Sequence, residues 1–174
     1  MVRAGQLLRR AKIGHVSDED AAAVPTIYEW AGGRPAFERW LGAFYDLVER
    51  DDLLAPAFGG TVTAEHRRNA VTWWCEVMGG PAAYTDEHGG YEHMLARHRG
   101  LDITGEQRLH FVTLLSRAAD AAGLPADPEF RAAIIGYAEW GTRLAVHNSG
   151  PATDVAEHAP VPRWGWGVAP PYRP

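Results

Sequence analysis

Thr63-Ala64-Glu65-His66-Arg67-Arg68-Asn69-Ala70-Val71-Thr72-Trp73-Trp74-Cys75-Glu76-Val77-Met78-Gly79-Gly80 reads as a helix with a marked beginning and a marked end. The Thr63 hydroxyl can cap free backbone N–H groups, and the glycine pair permits the positive φ of a turn. His66, Ala70, Trp73 and Val77 fall on one face at helical spacing. The same rhythm extends outward on both sides. After a short turn over 26–31, a helix is expected from Pro35, with Phe37, Trp40, Leu41, Phe44, Leu47 and Val48 facing inward. A brief helix is expected over 91–98. Thr104-Gly105-Glu106-Gln107 fits a capping box, opening a helix that stops at Gly123, ahead of Leu124-Pro125. Asp127-Pro128 opens the last helix, with proline where its missing N–H does no harm. Phe130, Ile134, Tyr137, Gly141 and Leu144 mark its inner face as far as Asn148. Gly-Gly pairs at 32–33, 59–60, 79–80 and 89–90 punctuate the series, and strand-like alternation is nowhere sustained. The fold class is all-α.

The flanks differ. Residues 1–24 show no lasting period and read as a mobile arm, and 25–148 form the helical body. The stretch 149–174 holds six prolines and cannot be a regular helix. Its Trp164-Gly165-Trp166-Gly167 and Pro170-Pro171-Tyr172 groups are expected to dock on the body, because exposed aromatic area is costly. The 174 residues, 46% hydrophobic and 22% charged, suit one globular core. Seventeen basic against 22 acidic side chains, net −5 with no Lys/Arg block, disfavour a nucleic-acid partner. No apolar run approaches a membrane helix and no secretory signal is evident, so a cytoplasmic location is expected.

The chain has one cysteine, Cys75, and eight histidines. One cysteine excludes an intrachain disulfide and any multi-cysteine metal site. No His-Xaa3-His pair occurs; His88, His93 and His98 rotate by about 140° per step on a helix, so they do not converge on one ion. The Gly-Xaa-Ser-Xaa-Gly elbow, the Walker loop and a glycine fingerprint after a strand are all missing. One arrangement passes this sieve. His66 lies on an apolar helix face, and His98 follows 32 residues later, after a Gly-Gly-Pro turn and a return. Two such histidines could face each other across a flat ligand, and imidazole is a strong ligand for haem iron. On spacing alone, histidines satisfied by core or solvent are the favoured account of the pair.

Further residues bear on the choice. Thr26-Ile27-Tyr28-Glu29-Trp30-Ala31-Gly32-Gly33, Phe44-Tyr45, Phe58, Gly79-Gly80-Pro81 with Tyr84, and Met94-Leu95-Ala96-Arg97-His98 occur in that order. Together they resemble the truncated haemoglobins, specifically group II, over roughly residues 26–148. The resemblance implies a shortened globin, a two-over-two helical sandwich around haem b.

By the same resemblance, His98 is the proximal iron ligand and Arg97 pairs with a haem propionate. Phe58 packs on the porphyrin, while Tyr84, Phe111 and Trp74 complete the cofactor-binding set. Tyr45, His66 and Ala70 line the distal ligand pocket. Two departures from the family pattern stand out. Group II members usually carry a hydrogen-bonding tryptophan where this chain has Phe111, flanked by His110, and phenylalanine donates nothing. Ala70 is small for a pocket-lining site and implies a roomier cavity or an entry path.

The implied function is reversible binding of O2, with CO and NO as further diatomic ligands, for oxygen storage, delivery or sensing. The alternative is a haem redox enzyme, an NO dioxygenase or a peroxidase-like catalyst. It would need electrons from a separate reductase, since the chain carries no flavin or nicotinamide motif. A haem-free scaffold working through its tail is disfavoured by His98, Phe58 and Tyr45.

Overall fold

The computed structural model describes residues 24–150 and 159–167. The arm expected over 1–24 lies outside the described residues except for Val24, and so does the Pro170-Pro171-Tyr172 group. Among the described residues seven helices follow one another: α1 (Ile27–Ala31), α2 (Arg34–Val48), α3 (Ala64–Val77), α4 (Ala83–His88), α5 (Tyr91–His98), α6 (Gly105–Ala121) and α7 (Pro128–Asn148). A 3-10 turn, Ala55–Phe58, links α2 to α3. Among the described residues there is no strand, and no helix is long and apolar enough to cross a membrane.

The helices pack as two pairs. α2 lies on α3, α6 lies on α7, and α2 crosses α6 to join them. This is the two-over-two sandwich. Its centre is the α2 stripe expected from the sequence. Phe37, Trp40, Leu41, Phe44 and Val48 are all fully buried, while Leu47 at the stripe's edge is half-buried. The Trp40 indole donates to the Leu115 carbonyl at 2.9 Å, so a large apolar body crosses the core without leaving its N–H unpaired.

The end signals act as read. Thr104 and Gln107 cap α6 reciprocally, and Gly123 leaves it at φ +64°. Asp127 caps α7 by accepting from the Phe130 N–H at 2.9 Å. Thr26 and Glu29 form a second capping box on α1. α4 was not marked in the sequence. It is a single six-residue segment without a side-chain cap, held from outside by the buried Glu76 carboxylate, which accepts from the Thr85 N–H and hydroxyl. α3 is amphipathic only in its first half. From Val71 to Met78 every residue is buried, because α1, α4 and the docked tail cover the sides that α2 leaves open.

The tail docks as expected where it is described. The Trp164 N–H donates to the Val77 carbonyl at 2.8 Å, and the Trp166 indole donates to the Pro25 carbonyl at 2.7 Å. Ser149, placed at the start of the tail, is buried in the body. Its carbonyl accepts from the Gly100 and Asp102 N–H groups, and its hydroxyl accepts from the Ile103 N–H.

The glycine pair ending α3 does more than turn. Here α1 crosses the helix end, and the Tyr28 N–H donates to the Met78 carbonyl at 2.9 Å. A Cβ on Gly79 would stand 2.8 Å from Thr26 Cβ at φ +93°, and one on Gly80 would stand 2.7 Å from the Cys75 carbonyl oxygen. Gly79→Ala and Gly80→Ala are each expected to lose about 2–4 kcal/mol of stability by urea denaturation. Gly59→Ala, which also has positive φ but open space around it, should lose only about 1–2 kcal/mol.

Candidate functional site

α2 and α3 bring the distal candidates together. Tyr45 is buried one turn before the end of α2, and His66 stands in the first turn of α3. The Tyr45 hydroxyl and His66 Nε2 are 3.1 Å apart. Phe58, delivered by the 3-10 turn, closes a triangle of rings. Its centroid is 5.9 Å from Tyr45 and 5.4 Å from His66, and the Tyr45–His66 distance is 5.3 Å, all edge-to-face. Phe111 reaches this group through Phe44, whose ring it meets at 4.6 Å. Ala70, one turn after His66, is half-buried against the core.

Arg67 braces the triangle from outside. Its guanidinium lies over the Tyr45 ring at 5.6 Å from the centroid. It is held there by Asp46 at 2.8 Å, Glu49 at 3.0 Å and the Gly42 carbonyl at 3.2 Å. The Val62 N–H also donates to Glu49, which ties the loop before α3 to α2.

His98 ends α5. Its Nδ1 lies 2.8 Å from the Met94 carbonyl oxygen, one turn earlier. A carbonyl can only accept, so Nδ1 carries a proton and Nε2 is the nitrogen left to offer a lone pair to a ligand. Arg97 beside it is exposed.

Arg97 and His98 on α5 come near enough to His66 on α3 to act on its charge. Burial pushes the His66 imidazole below its ordinary value, and the nearby Arg97, His98 and Arg67 charges push it further. His66 is therefore neutral at pH 7. Burial raises the Tyr45 phenol well above its usual range, against the smaller pull of Arg67. Burial also raises Tyr84, and Arg97 partly offsets this.

Of the nine candidates, Tyr45, Phe58 and His66 touch one another, and Phe111 joins them through Phe44. Ala70 shares the His66 side of α3, while Arg97 and His98 stand on α5 and Tyr84 on α4. Trp74 is placed apart from all of these. Its ring contacts are Trp40 at 5.0 Å and Tyr137 at 4.9 Å, within the core. Trp73 is the indole that meets α4 and α5. It packs on Tyr84 at 5.0 Å and Tyr91 at 6.2 Å, and its N–H donates to the Tyr137 hydroxyl at 2.8 Å. The sequence held the signal, since Trp73 lies two turns after His66 on the same face.

This donor set fits a haem. An imidazole with Nδ1 fixed to a carbonyl offers one directed nitrogen to an iron. A polar pair, Tyr45 and His66, stands near it among aromatic rings.

The comparisons with known proteins agree. The bacterial-like globin family model matches residues 26–137. The group 2 truncated haemoglobin of Bacillus subtilis is 30% identical over 117 residues, covering 67% of this chain and 86% of that protein. A group 1 truncated haemoglobin from a Nostoc species is 31% identical over 96 residues, covering 55% of this chain and 75% of that one. Among solved structures, the group II truncated haemoglobin from Bacillus anthracis superposes with a TM-score of 0.64 at 25% identity. It covers 74% of this chain and 95% of its own. The truncated oxygen-avid haemoglobin from Bacillus subtilis gives 0.63 at 29% identity, over 70% and 99% of the two chains.

The depressed His66 value has a testable sign. The unfolded imidazole takes up a proton near its ordinary pKa of 6.5, whereas the folded one resists it. Stability is therefore complete above that pH and is lost as pH falls through it. In His66→Leu this acid-side loss should be shallower, as measured by urea denaturation on both sides of the window. An unchanged slope would contradict the burial of a neutral imidazole.

Proposed function

Because the chain belongs to the bacterial-like globin family, and within it to the truncated haemoglobins of group II, we propose that it holds haem b through His98 Nε2 and binds O2 reversibly there. CO and NO are further ligands of the same site. The observation that carries this is the His98 Nδ1 bond to the Met94 carbonyl, which aims one unprotonated nitrogen away from α5. When bound, the haem supplies an iron with one position left for a diatomic gas.

The protein's own groups then decide how long the gas stays. Tyr45 is protonated at every physiological pH, since burial opposes the phenolate. Its neutral partner His66 can meet it in two ways. With the His66 proton on Nε2, the ring donates to the Tyr45 oxygen and leaves the phenol proton for a ligand. With the proton on Nδ1, His66 Nε2 accepts the Tyr45 proton and withdraws that donor. The first tautomer holds a polar diatomic and the second releases it. Phe44, Phe58 and Phe111 keep competing water from the pair, and Phe111 adds no donor of its own. Arg97 is exposed and makes no ion pair among the described residues, which suits a propionate; Tyr84 and Trp73 support that edge.

An acceptor carrying developing negative charge gains from one such donor roughly 1–3 kcal/mol, or about 5–150-fold in dissociation rate. The missing indole donor at position 111 favours release, and thus carriage or sensing over turnover. An NO- or peroxide-consuming role would bring in a separate reductase, and a cytoplasmic location suits either role.

Two measurements test this. Purified protein should show haem absorption in ferric, ferrous and CO-bound forms, and His98→Ala should lose it. Tyr45→Phe should speed O2 release about 5–150-fold by stopped flow; an unchanged rate would remove Tyr45 from the ligand's environment.

A further inference from the structure

Aromatic rings run in unbroken contact from the proposed haem edge to the surface. The series starts at Trp73, which packs on Tyr84 and Tyr91 at 5.0 and 6.2 Å. The Trp73 indole donates to the Tyr137 hydroxyl at 2.8 Å. The Tyr137 ring lies 6.0 Å from Trp140 and 5.6 Å from Trp164, and those two indoles are 5.7 Å apart. Trp73 and Tyr137 are buried, whereas Trp140 is 39% exposed. A side branch leads inward instead. Tyr137 meets Trp74 at 4.9 Å and Trp74 meets Trp40 at 5.0 Å, where the fully buried Trp40 spends its N–H on the Leu115 carbonyl.

Burial gives this series a direction. Indole and phenol are the aromatic side chains that give up one electron most readily, and contact between rings lets the electron pass. The positive charge left behind is costly on a buried ring. The Trp73 N–H faces a buried neutral hydroxyl, so its proton has no route to water. Burial pushes the Tyr137 phenol up and holds its proton in place, so that ring bridges the indoles without keeping the charge. At Trp140 water can solvate the charge and take the indole proton. The Trp40 branch offers neither. An electron vacancy that arises at Trp73 therefore comes to rest at Trp140.

We propose that Trp140 is a surface site where small aromatic reductants of the phenol class are oxidised, joined to the haem through Tyr137 and Trp73. The proposal rests on the haem assignment above, and its oxidant is hydrogen peroxide. Peroxide takes up two electrons and two protons and leaves as two water molecules. One electron comes from the haem and one from Trp73. Trp140 refills Trp73 across Tyr137 and gives its indole proton to water. A phenol then returns one electron and one proton at Trp140. A second phenol restores the haem in the same way, so two phenoxyl radicals form for each peroxide. Because the electrons arrive from a small molecule at the surface, this activity needs no reductase.

The test mixes the ferric, haem-loaded full-length protein with hydrogen peroxide and a nitroso spin trap, and locates the adduct by peptide mass spectrometry. The adduct should fall on Trp140. Freeze-quench electron paramagnetic resonance should show a radical whose signal narrows when the tryptophan rings are deuterated. Trp140→Phe should remove the adduct and slow peroxide-dependent oxidation of hydroquinone at least roughly tenfold. Trp73→Phe, compared at equal haem content, should diminish the Trp140 adduct by a similar factor although Trp140 itself is untouched. Haem absorption and CO binding should be unchanged in Trp140→Phe, so failure here is distinguishable from failure of the haem assignment. No adduct at Trp140, an adduct undiminished in Trp73→Phe, or undiminished hydroquinone oxidation in Trp140→Phe would each overturn the proposal.

Discussion

A single hydrogen bond sets the terms for the site: His98 Nδ1–H to the Met94 carbonyl. An imidazole on an exposed helix end would otherwise exchange tautomers and turn about its side-chain bonds. Bonding one nitrogen to its own helix removes both freedoms, because the acceptor can accept from only one ring nitrogen and only in one rotamer. The remaining nitrogen is then a directed lone pair. The Ser149 bonds hold the loop after α5 to the end of α7, so the helix carrying this imidazole is anchored beyond it as well.

The facing wall depends on a different balance. Tyr45 and His66 are polar groups in an aromatic setting, and each satisfies the other. Tyr45 alone would be a buried hydroxyl without a partner, and His66 beside it is half-buried. Together they share protons, and the neutral state of His66 makes that sharing reversible. Charge is kept outside the triangle. Arg67 sits over the outer face of Tyr45 and is neutralised by Asp46 and Glu49, so it shapes the ring's position without bringing an uncompensated charge inward. In the pocket we propose, the donors are neutral and the dielectric is low, so a single bond to a ligand would count for more than in water.

Helix ends and inner faces were legible in the sequence because their causes are local. Thr26, Thr63, Thr104 and Asp127 each cap the helix they precede, within three residues of their partners. The two-over-two arrangement, and the positions opposite one another across it, came from an ordered set of motifs instead. α4 was illegible because its holding group, Glu76, comes from another helix. Trp73 and Trp74 are adjacent, and periodicity put Trp73 on the His66 line. Only packing shows that Trp73 meets Tyr84 and Tyr91 while Trp74 lies between Trp40 and Tyr137. Ser149, read as tail, belongs to the body because three backbone N–H groups from the loop after His98 converge on it, a long-range effect with no sequence signature.

The segment around Trp164 and Trp166 lies beyond the stretch matched by the family model, yet it completes the burial of residues inside that stretch. A protein trimmed to its recognisable globin boundaries would bare the flanks of Trp30, Phe130 and Tyr137 together. The appended strap is thus part of the packed body, and the border drawn by sequence similarity is not the border of the core.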